Sequence, residues 1–268
     1  MTLSPLVLTI VLLLPVFLVG WYVQQLNRNA GWVDVMWAFG IAIVGCYYCL
    51  TGSGDASLRL LVAAIYSIWF IRLGRHLARR VHSSIEEDSR YAWMRQWAGG
   101  WQGGAFLLFY LMQASWVWLF TLPAWVLAAG SWPPSWCVWL ALAIAVLAWA
   151  GESLADHQLE QFKADPSTEG KTCRRGLWRY SRHSNYFFEW CHWFVYPLLG
   201  WAAPYGTWLW LAPVAMFIFL FFVTGIPFTE RQAVRKRGDD YRRYQSNTSM
   251  FFPWFTSAQS QSSQESSS

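Results

Sequence analysis

Two acids stand where an acid is costly. Asp34 lies in GWVDVMWAFG, flanked by Trp32 and Trp37 at the start of an apolar run. A carboxyl so placed is poorly solvated, which favours its protonated form, and a neutral acid can donate to a carbonyl oxygen as a general acid does. A second reading makes it a helix N-terminal acid, stabilised by the dipole and paired with Arg28. The other acid, Glu189, closes the stretch GLWRYSRHSNYFFEW (Gly176–Trp190). Counting back from it, Tyr186, Arg182, Arg179 and Arg175 recur at three- and four-residue intervals. A helical segment would therefore align three guanidiniums, a ring and an acid on one face. Guanidiniums take phosphates bidentately, so this face suits an anionic cofactor. Glu189 would sit about one turn inside a membrane, where a carboxylate needs a partner. The alternative is that the cations face lipid headgroups and Glu189 pairs with one of them.

Further polar clusters fall around these two. Glu152, Asp156, Glu160 and Lys163 recur at intervals of four, four and three, which puts the acids on one helix face. Such carboxylates can accept from ribose hydroxyls or from Arg. Asp156 fits cofactor contact and Glu160 a pairing role. Glu86, Glu87, Asp88, Arg90 and Tyr91 read as a solvated, salt-bridged surface helix. Glu230 and Arg231 open a basic tail that continues through Asp240, Tyr241, Tyr244 and Thr248 to FFPW (Phe251–Trp254). Its aromatic punctuation predicts that it folds back on the cytoplasmic face. Cys46 and Cys49 form a C-x-x-C in mid-span, which reads as buried thiols packing as small hydrophobes. The five His have no i, i+4 His or Cys partner, so no metal site is expected.

These residues must be carried by membrane helices. The 268-residue chain is 55% hydrophobic and 13% charged, with 21 Trp. A soluble domain carries about a quarter charged residues. Apolar runs approaching the roughly 20 residues that cross a bilayer predict seven spans. They lie at Leu3–Val23, Val33–Leu50, Leu58–Leu77, Ala105–Ala128, Trp136–Ala155, Tyr186–Trp201 and Thr207–Ile226. Arg28, six cations from Arg72 to Arg95, six from Lys163 to Arg182 and six from Arg231 to Arg243 then share one side. Only Arg59 of the 20 Lys and Arg falls on the other. The positive-inside rule makes that side cytoplasmic and puts the N-terminus outside. The net charge of +5 thus reports topology, and no nucleic-acid partner is needed to explain it. Met1–Val23 lacks a basic n-region and reads as a retained first helix. The fold expected is an all-α, polytopic membrane domain over 1–256, followed by a disordered Ser/Gln-rich tail, 257–268.

The stretch GLWRYSRHSNYFFEW resembles the GLWRYSRHPNYFGEW-type motif of the steroid 5α-reductase-like membrane reductases, particularly their bacterial branch. GWVDVMWAFG, EDSRYAWMR (Glu87–Arg95), ESLADHQLEQFK (Glu152–Lys163) and the tail ERQAVRKRGDDYRRYQSNTSMFFPW extend the resemblance from about Asn27 to Trp254. Two positions depart: Ser184 stands where Pro is usual, and Phe188 where Gly is usual. The resemblance implies a seven-helix enzyme of the bacterial inner membrane. It would take NADPH from the cytoplasmic side and reduce a C=C bond conjugated to a ketone in a steroid-like lipid drawn from the bilayer. Carried over, Asn185 and Glu189 are its cofactor-contacting amide and acid, Asp156 the acid of the fifth helix, and Lys163 a nearby cation. Arg179, Arg182, His183 and Tyr186 complete the pyrophosphate and adenosine side, and Lys171 and Arg174 reach the extra phosphate. Glu230, Arg231, Tyr241 and Tyr244 look similar to cofactor-cradling positions of the tail. Asp34 matches the acid that acts with a tyrosine at the substrate ketone, and Trp69 is the candidate for that tyrosine's place. Isoprenylcysteine methyltransferases carry a related RHxNY element, so an S-adenosylmethionine-dependent methyltransferase is the rival enzyme. A non-catalytic lipid-binding protein is the third reading. The cations from Lys171 to Arg182 favour NADPH, which carries three phosphate groups where S-adenosylmethionine has none.

Overall fold

Within hydrocarbon, every backbone N–H and C=O must find a partner inside the protein, and long apolar runs meet that demand as helices. The computed structural model describes residues 4–84 and 86–255. It is 80% helical, with no strand among the described residues. The tail expected to be disordered lies outside them. In chain order the helices are α1 (Pro5–Asn27), α2 (Trp32–Thr51), α3 (Ala56–Ser83), α4 (Ser89–Ala98), α5 (Gln102–Leu127), α6 (Ser135–Ala164), α7 (Ser184–His192), α8 (Val195–Leu199), α9 (Leu211–Ile218), α10 (Ile226–Arg237) and α11 (Asp239–Asn247). The chain is a multi-pass membrane protein: six helical stretches are long and apolar enough to cross a bilayer. Five match the first five predicted spans. The sixth, Gly206–Arg237, runs through α9, a π-helical turn (Phe219–Thr224) and α10.

Six of the seven predicted spans coincide with a helical stretch long and apolar enough to cross by itself. The segment predicted as the sixth span, Tyr186–Trp201, is broken into α7 and α8, neither of which is long enough to cross alone. Glu189 and His192 interrupt its hydrophobicity, and Pro197, inside the short α8, has no N–H to continue a helix.

The chain divides into two compact units. The first comprises residues up to Val138 together with Tyr196–Ala212. Here α2 packs against α3 and α5, and α1 packs against α5. On α1, Val7, Val11, Val16, Val19 and Val23 are exposed, while Thr9, Leu13, Phe17 and Gln24 form a buried stripe at helical spacing. An exposed apolar face of this extent belongs against lipid. Because lipid is as apolar as the helices, association rests on close packing and internal hydrogen bonds. Gly45 of α2 abuts the Tyr66 ring of α3, where a Cβ would come within 2.6 Å. Tyr66 Oη donates to Phe120 O (3.1 Å), and Trp118 Nε1 donates to Leu6 O (3.1 Å). Cys46 is 3.1 Å from Ser67 Oγ, and Cys49 is buried, so both thiols act as small core groups. Arg59, alone on its predicted side, binds Cys49 O (3.1 Å) and Gly54 O (3.1 Å). It thereby caps the negative end of the α2 dipole.

The second unit comprises Trp139–Val195 and the described residues from Pro213 onward. Its core joins Ala155, Cys173 and Trp178, with Leu159, Phe162 and Leu177 packed around them. Trp178 Nε1 donates to Ala155 O at 2.9 Å. The tail folds back on the central motif. Ser181 Oγ donates to Phe251 O (2.8 Å), Arg182 N to Ser249 O (2.9 Å) and Trp254 N to Tyr180 O (3.0 Å).

Candidate functional site

The chemistry-bearing residues gather in one group in the first unit and three in the second. In the first unit, Asp34 occupies the opening turn of α2 and accepts on both carboxylate oxygens. Tyr91 Oη donates to Oδ1 (2.7 Å) and Arg90 to Oδ2 (2.8 Å). Arg28 is therefore not the partner; Arg90 is. Tyr91 is buried, and its ring lies under the Arg90 guanidinium at 5.1 Å. Asp34 thus accepts from both of these donors in this arrangement.

Arg90 and Tyr91 lie in the first turn of α4, which is salt-bridged as expected but carries Tyr91 buried and not solvated. Asp88 caps α4 through Arg90 N (3.0 Å) and binds Arg90 Nε (3.0 Å) and an Arg80 guanidinium nitrogen (2.7 Å). Burial raises the Asp88 carboxyl, but the charges and hydrogen bonds of Arg90 and Arg80 outweigh it and bring it down to about 2. Glu87 binds Arg95 twice (2.7 and 2.9 Å) and takes Ala30 N at 2.7 Å. Arg95 also donates to Gln24 (2.9 Å) and stacks over Phe106. These pairs fix α4 beside the start of α2, and with it the Tyr91 hydroxyl.

In the second unit the predicted alignment of Arg175, Arg179 and Arg182 with Tyr186 and Glu189 does not form. Gly176 takes φ +57°, the left-handed region that favours glycine. A 3-10 turn (Gly176–Arg179) follows, and α7 starts only at Ser184. Ser184 stands at the first helical position, where proline is well suited. Its hydroxyl donates to Leu177 O (2.9 Å) and Ser181 O (3.0 Å), fixing the turn without the ring. Phe188 lies against Gly151 of α6, where a Cβ would come within 2.4 Å of its ring. The large residue in α7 is thus met by an absent side chain in α6.

One cluster of this unit lies on α6 and α7. Glu152, Asp156 and Glu189 are all buried, and Asn185 Nδ2 donates to Asp156 Oδ1 at 3.2 Å. Trp193 Nε1 donates to Glu189 Oε1 at 2.9 Å. Asn185 and Asp156, both assigned to the cofactor by the resemblance, are therefore in contact. A second cluster centres on Glu230. Arg182 grips it bidentately (3.0 and 3.1 Å), and His183 (2.9 Å), Tyr241 (2.7 Å) and Gln245 add three further bonds. Arg182 also binds Gln245 O (2.9 Å) and Thr248 O (2.7 Å), and its side chain is 9% exposed. It is committed to the tail and not to solvent. Tyr186 stacks on His183 at 5.6 Å, and Tyr244 Oη donates to Trp178 O.

The third cluster is a cationic loop. Lys171 and Arg174 are exposed here, joined by Arg175, and Arg174 binds Asp240 Oδ1 (2.7 Å). Lys163, Arg179 and Arg231 are exposed outside these clusters. Sequence reasoning missed Arg90 and Tyr91 as partners of Asp34, and Gln245 and Asp240 as anchors of the tail. The only signal was that Arg90 and Tyr91 adjoin an acidic run.

The donor set suits a phosphorylated nucleotide. Exposed cations can take phosphates, while the Asp156–Asn185 pair and Glu189 can take hydroxyl and amide groups.

The model of a family described as a protein of unknown function (DUF1295) matches residues 20–248. The chain is also 26% identical to an uncharacterised protein of Schizosaccharomyces pombe over 264 residues, covering 87% of this chain and 75% of that relative. No solved structure matches.

Proposed function

The chain belongs to the DUF1295 family, and from that premise we propose that it is an NADPH-dependent membrane reductase. Its substrate would be the C=C bond conjugated to a ketone in a steroid-like lipid. The observation that carries this reading is the hydrogen bond from Tyr91 to Asp34, 2.7 Å long and braced by Arg90. An acid and a tyrosine acting together at a ketone is what the resemblance implies, and these two residues meet although 57 positions apart in sequence.

NADPH, when bound, supplies the hydride. Lys171, Arg174, Arg179 and Arg231 would hold its phosphates, and Asp156, Asn185 and Glu189 its hydroxyl and amide groups. Lys163 and Tyr186 would stand beside them. Arg182, His183, Glu230, Tyr241 and Tyr244 hold the tail against this surface, supporting the cofactor site through the fold. In the first unit, negative charge grows on the ketone oxygen as an enone is reduced. A fixed O–H donor at that oxygen stabilises it. Tyr91 would turn its O–H from Asp34 to that oxygen, from the place in which Asp34 and Arg90 hold it.

Orientation belongs to the same proposal. If α7 and α8 cross the membrane together as a broken pair, every basic segment shares the cytoplasmic side and the N-terminus is outside.

The test is a titration of detergent-purified protein with NADPH, NADH and S-adenosylmethionine, repeated on Glu189→Gln and Arg179→Ala. NADPH binding that weakens in both variants supports the reading. Binding of S-adenosylmethionine with NADPH silent moves the protein to the methyltransferases.

A further inference from the structure

A helix at a water-exposed surface turns its charges outward and its apolar residues inward. The ten-residue α4 (Ser89–Ala98) does the reverse. Both of its cations are committed within the first unit, Arg90 to Asp34 and Asp88, and Arg95 to Glu87 and Gln24. The residues it exposes are Ser89, Trp93, Gln96 and Trp97, none of them charged. Trp93 and Trp97 stack on each other, with ring centroids 6.3 Å apart and planes 16° from parallel. Trp101 follows, exposed like the other two, and its indole lies over Gly104, where a Cβ would come within 2.5 Å.

The direction of α4 follows from what it touches. Its cap, Asp88, is bound by Arg80 in the last turn of α3. Its first turn reaches Asp34, in the first turn of α2. Its last turn reaches Gln24 near the end of α1 and Phe106 near the start of α5. A helix that meets the ends of four others lies across them, along the membrane plane. It is about 15 Å long by its rise per residue, too short to cross roughly 30 Å of hydrocarbon. Gly99, at φ +49°, separates it from α5.

We propose that α4 is seated in the headgroup layer of the bilayer, with Trp93, Trp97 and Trp101 as its anchors. An indole joins a large apolar ring to an N–H donor, which suits a boundary that is apolar on one side and wet on the other. Helices bound at that boundary lie in its plane with the apolar face turned to the acyl chains. The row of indoles is also continuous with the lipid-facing surface of the unit. Beyond Trp101, α5 exposes Leu108, Met112 and Leu119, and α1, packed against it, exposes Tyr22, Val23 and Leu26. Helix α4 carries Tyr91, so the seat sets the depth at which that hydroxyl meets Asp34. The seat rests on the two faces of α4 and stands whether or not the protein is a reductase.

The test is the depth of single spin labels on full-length protein in nanodiscs of phosphatidylcholine and phosphatidylglycerol. Labels go on Ser89→Cys and Gln96→Cys of α4 and on Leu108→Cys as the lipid reference. The water reference is Asp239→Cys at the start of α11, where the native side chain is 85% exposed. Wild type carried through the same labelling supplies the background of the native thiols. Each label is relaxed by oxygen, which concentrates in lipid, and by a water-soluble nickel chelate. Both α4 labels should favour oxygen over nickel by roughly threefold or more relative to Asp239→Cys, and should report equal depth. Values matching Asp239→Cys would return α4 to solvent and overturn the seat. Shielding from both reagents, with Leu108→Cys still open to oxygen, would put protein on the indoles, a second copy of the chain included, and would overturn it too. A Gln96→Cys label in lipid with the Ser89→Cys label in water would stand α4 upright as an extension of the α5 span, which also removes the in-plane seat. Unchanged thermal midpoints confirm that the labelled variants fold.

Discussion

Tyr91 and Asp34 share one short hydrogen bond, so removing either oxygen should disable the same function. Tyr91→Phe deletes only the hydroxyl and leaves the ring in its buried place. Loss of a positioned proton donor costs about 10²–10⁴-fold in rate, so turnover on an enone substrate should fall by that factor with NADPH binding unchanged. Asp34→Asn should act in the same direction, and the double variant should be little worse than either single one, because residues working as a unit are non-additive. Near-wild-type turnover in Tyr91→Phe would remove the pair from the reaction. Asp88 sets a second expectation at this scale. Its carboxyl is held at about 2, below the ordinary 3.8, by Arg90 and Arg80 against the opposing effect of burial. A depressed pKa contributes stability above the unfolded value, and that stability is lost as pH falls through the folded one. The difference in thermal stability between wild type and Asp88→Asn should therefore be worth about 2 kcal/mol at pH 7. It should shrink from about pH 5 and vanish only below about pH 2, where the carboxyl is protonated in both states. A difference that is flat over that range would show that Asp88 is held by something other than its charge.

At the scale of elements, the Phe188–Gly151 contact is a coupled pair between α7 and α6. A methyl group added at Gly151 would meet the Phe188 ring at 2.4 Å, closer than any real contact allows. Overpacking of this kind costs about 1–3 kcal/mol. Gly151→Ala should lower the thermal midpoint, and Phe188→Ala in the same chain should restore most of the loss. Equal effects of Gly151→Ala with and without Phe188 would mean that the two positions are not coupled. The same contact shows what the sequence could disclose. The apolar runs of α1, α2, α3, α5 and α6 were legible because bilayer thickness imposes a length on any span. The acids at Glu152 and Asp156 were legible because a helix repeats every three or four residues. The geometry of Gly176–Ser184 was not, since one glycine with positive φ and two serine hydroxyls broke a periodicity that looked helical. Arg182 was misplaced for a related reason. A guanidinium beside a membrane surface looks like a phosphate ligand until Glu230, 48 residues later, claims it. Pairings between distant segments leave no local periodicity to read.

For the whole molecule, the cation distribution is the strongest constraint, because it must hold over every loop at once. On the proposed topology the turn at Arg28, the segment joining α3 to α4, the loop after α6 and the basic tail share one side, and the connections at residues 52–55 and 128–134 face the other. Six long helices alone would put the tail on the same side as the N-terminus. The tail reaches the side of the other basic loops only if α7 and α8 together complete a further crossing. The outcome is testable with single cysteines at exposed serines. Ser53→Cys and Ser131→Cys lie in the weakly charged connections, and Ser83→Cys and Ser246→Cys in the basic ones. In intact cells a membrane-impermeant maleimide should label the first two, above the background of the native thiols, and reach the last two only after permeabilisation. Labelling of Ser246→Cys without permeabilisation, with Ser83→Cys still protected, would show that α7 and α8 do not cross.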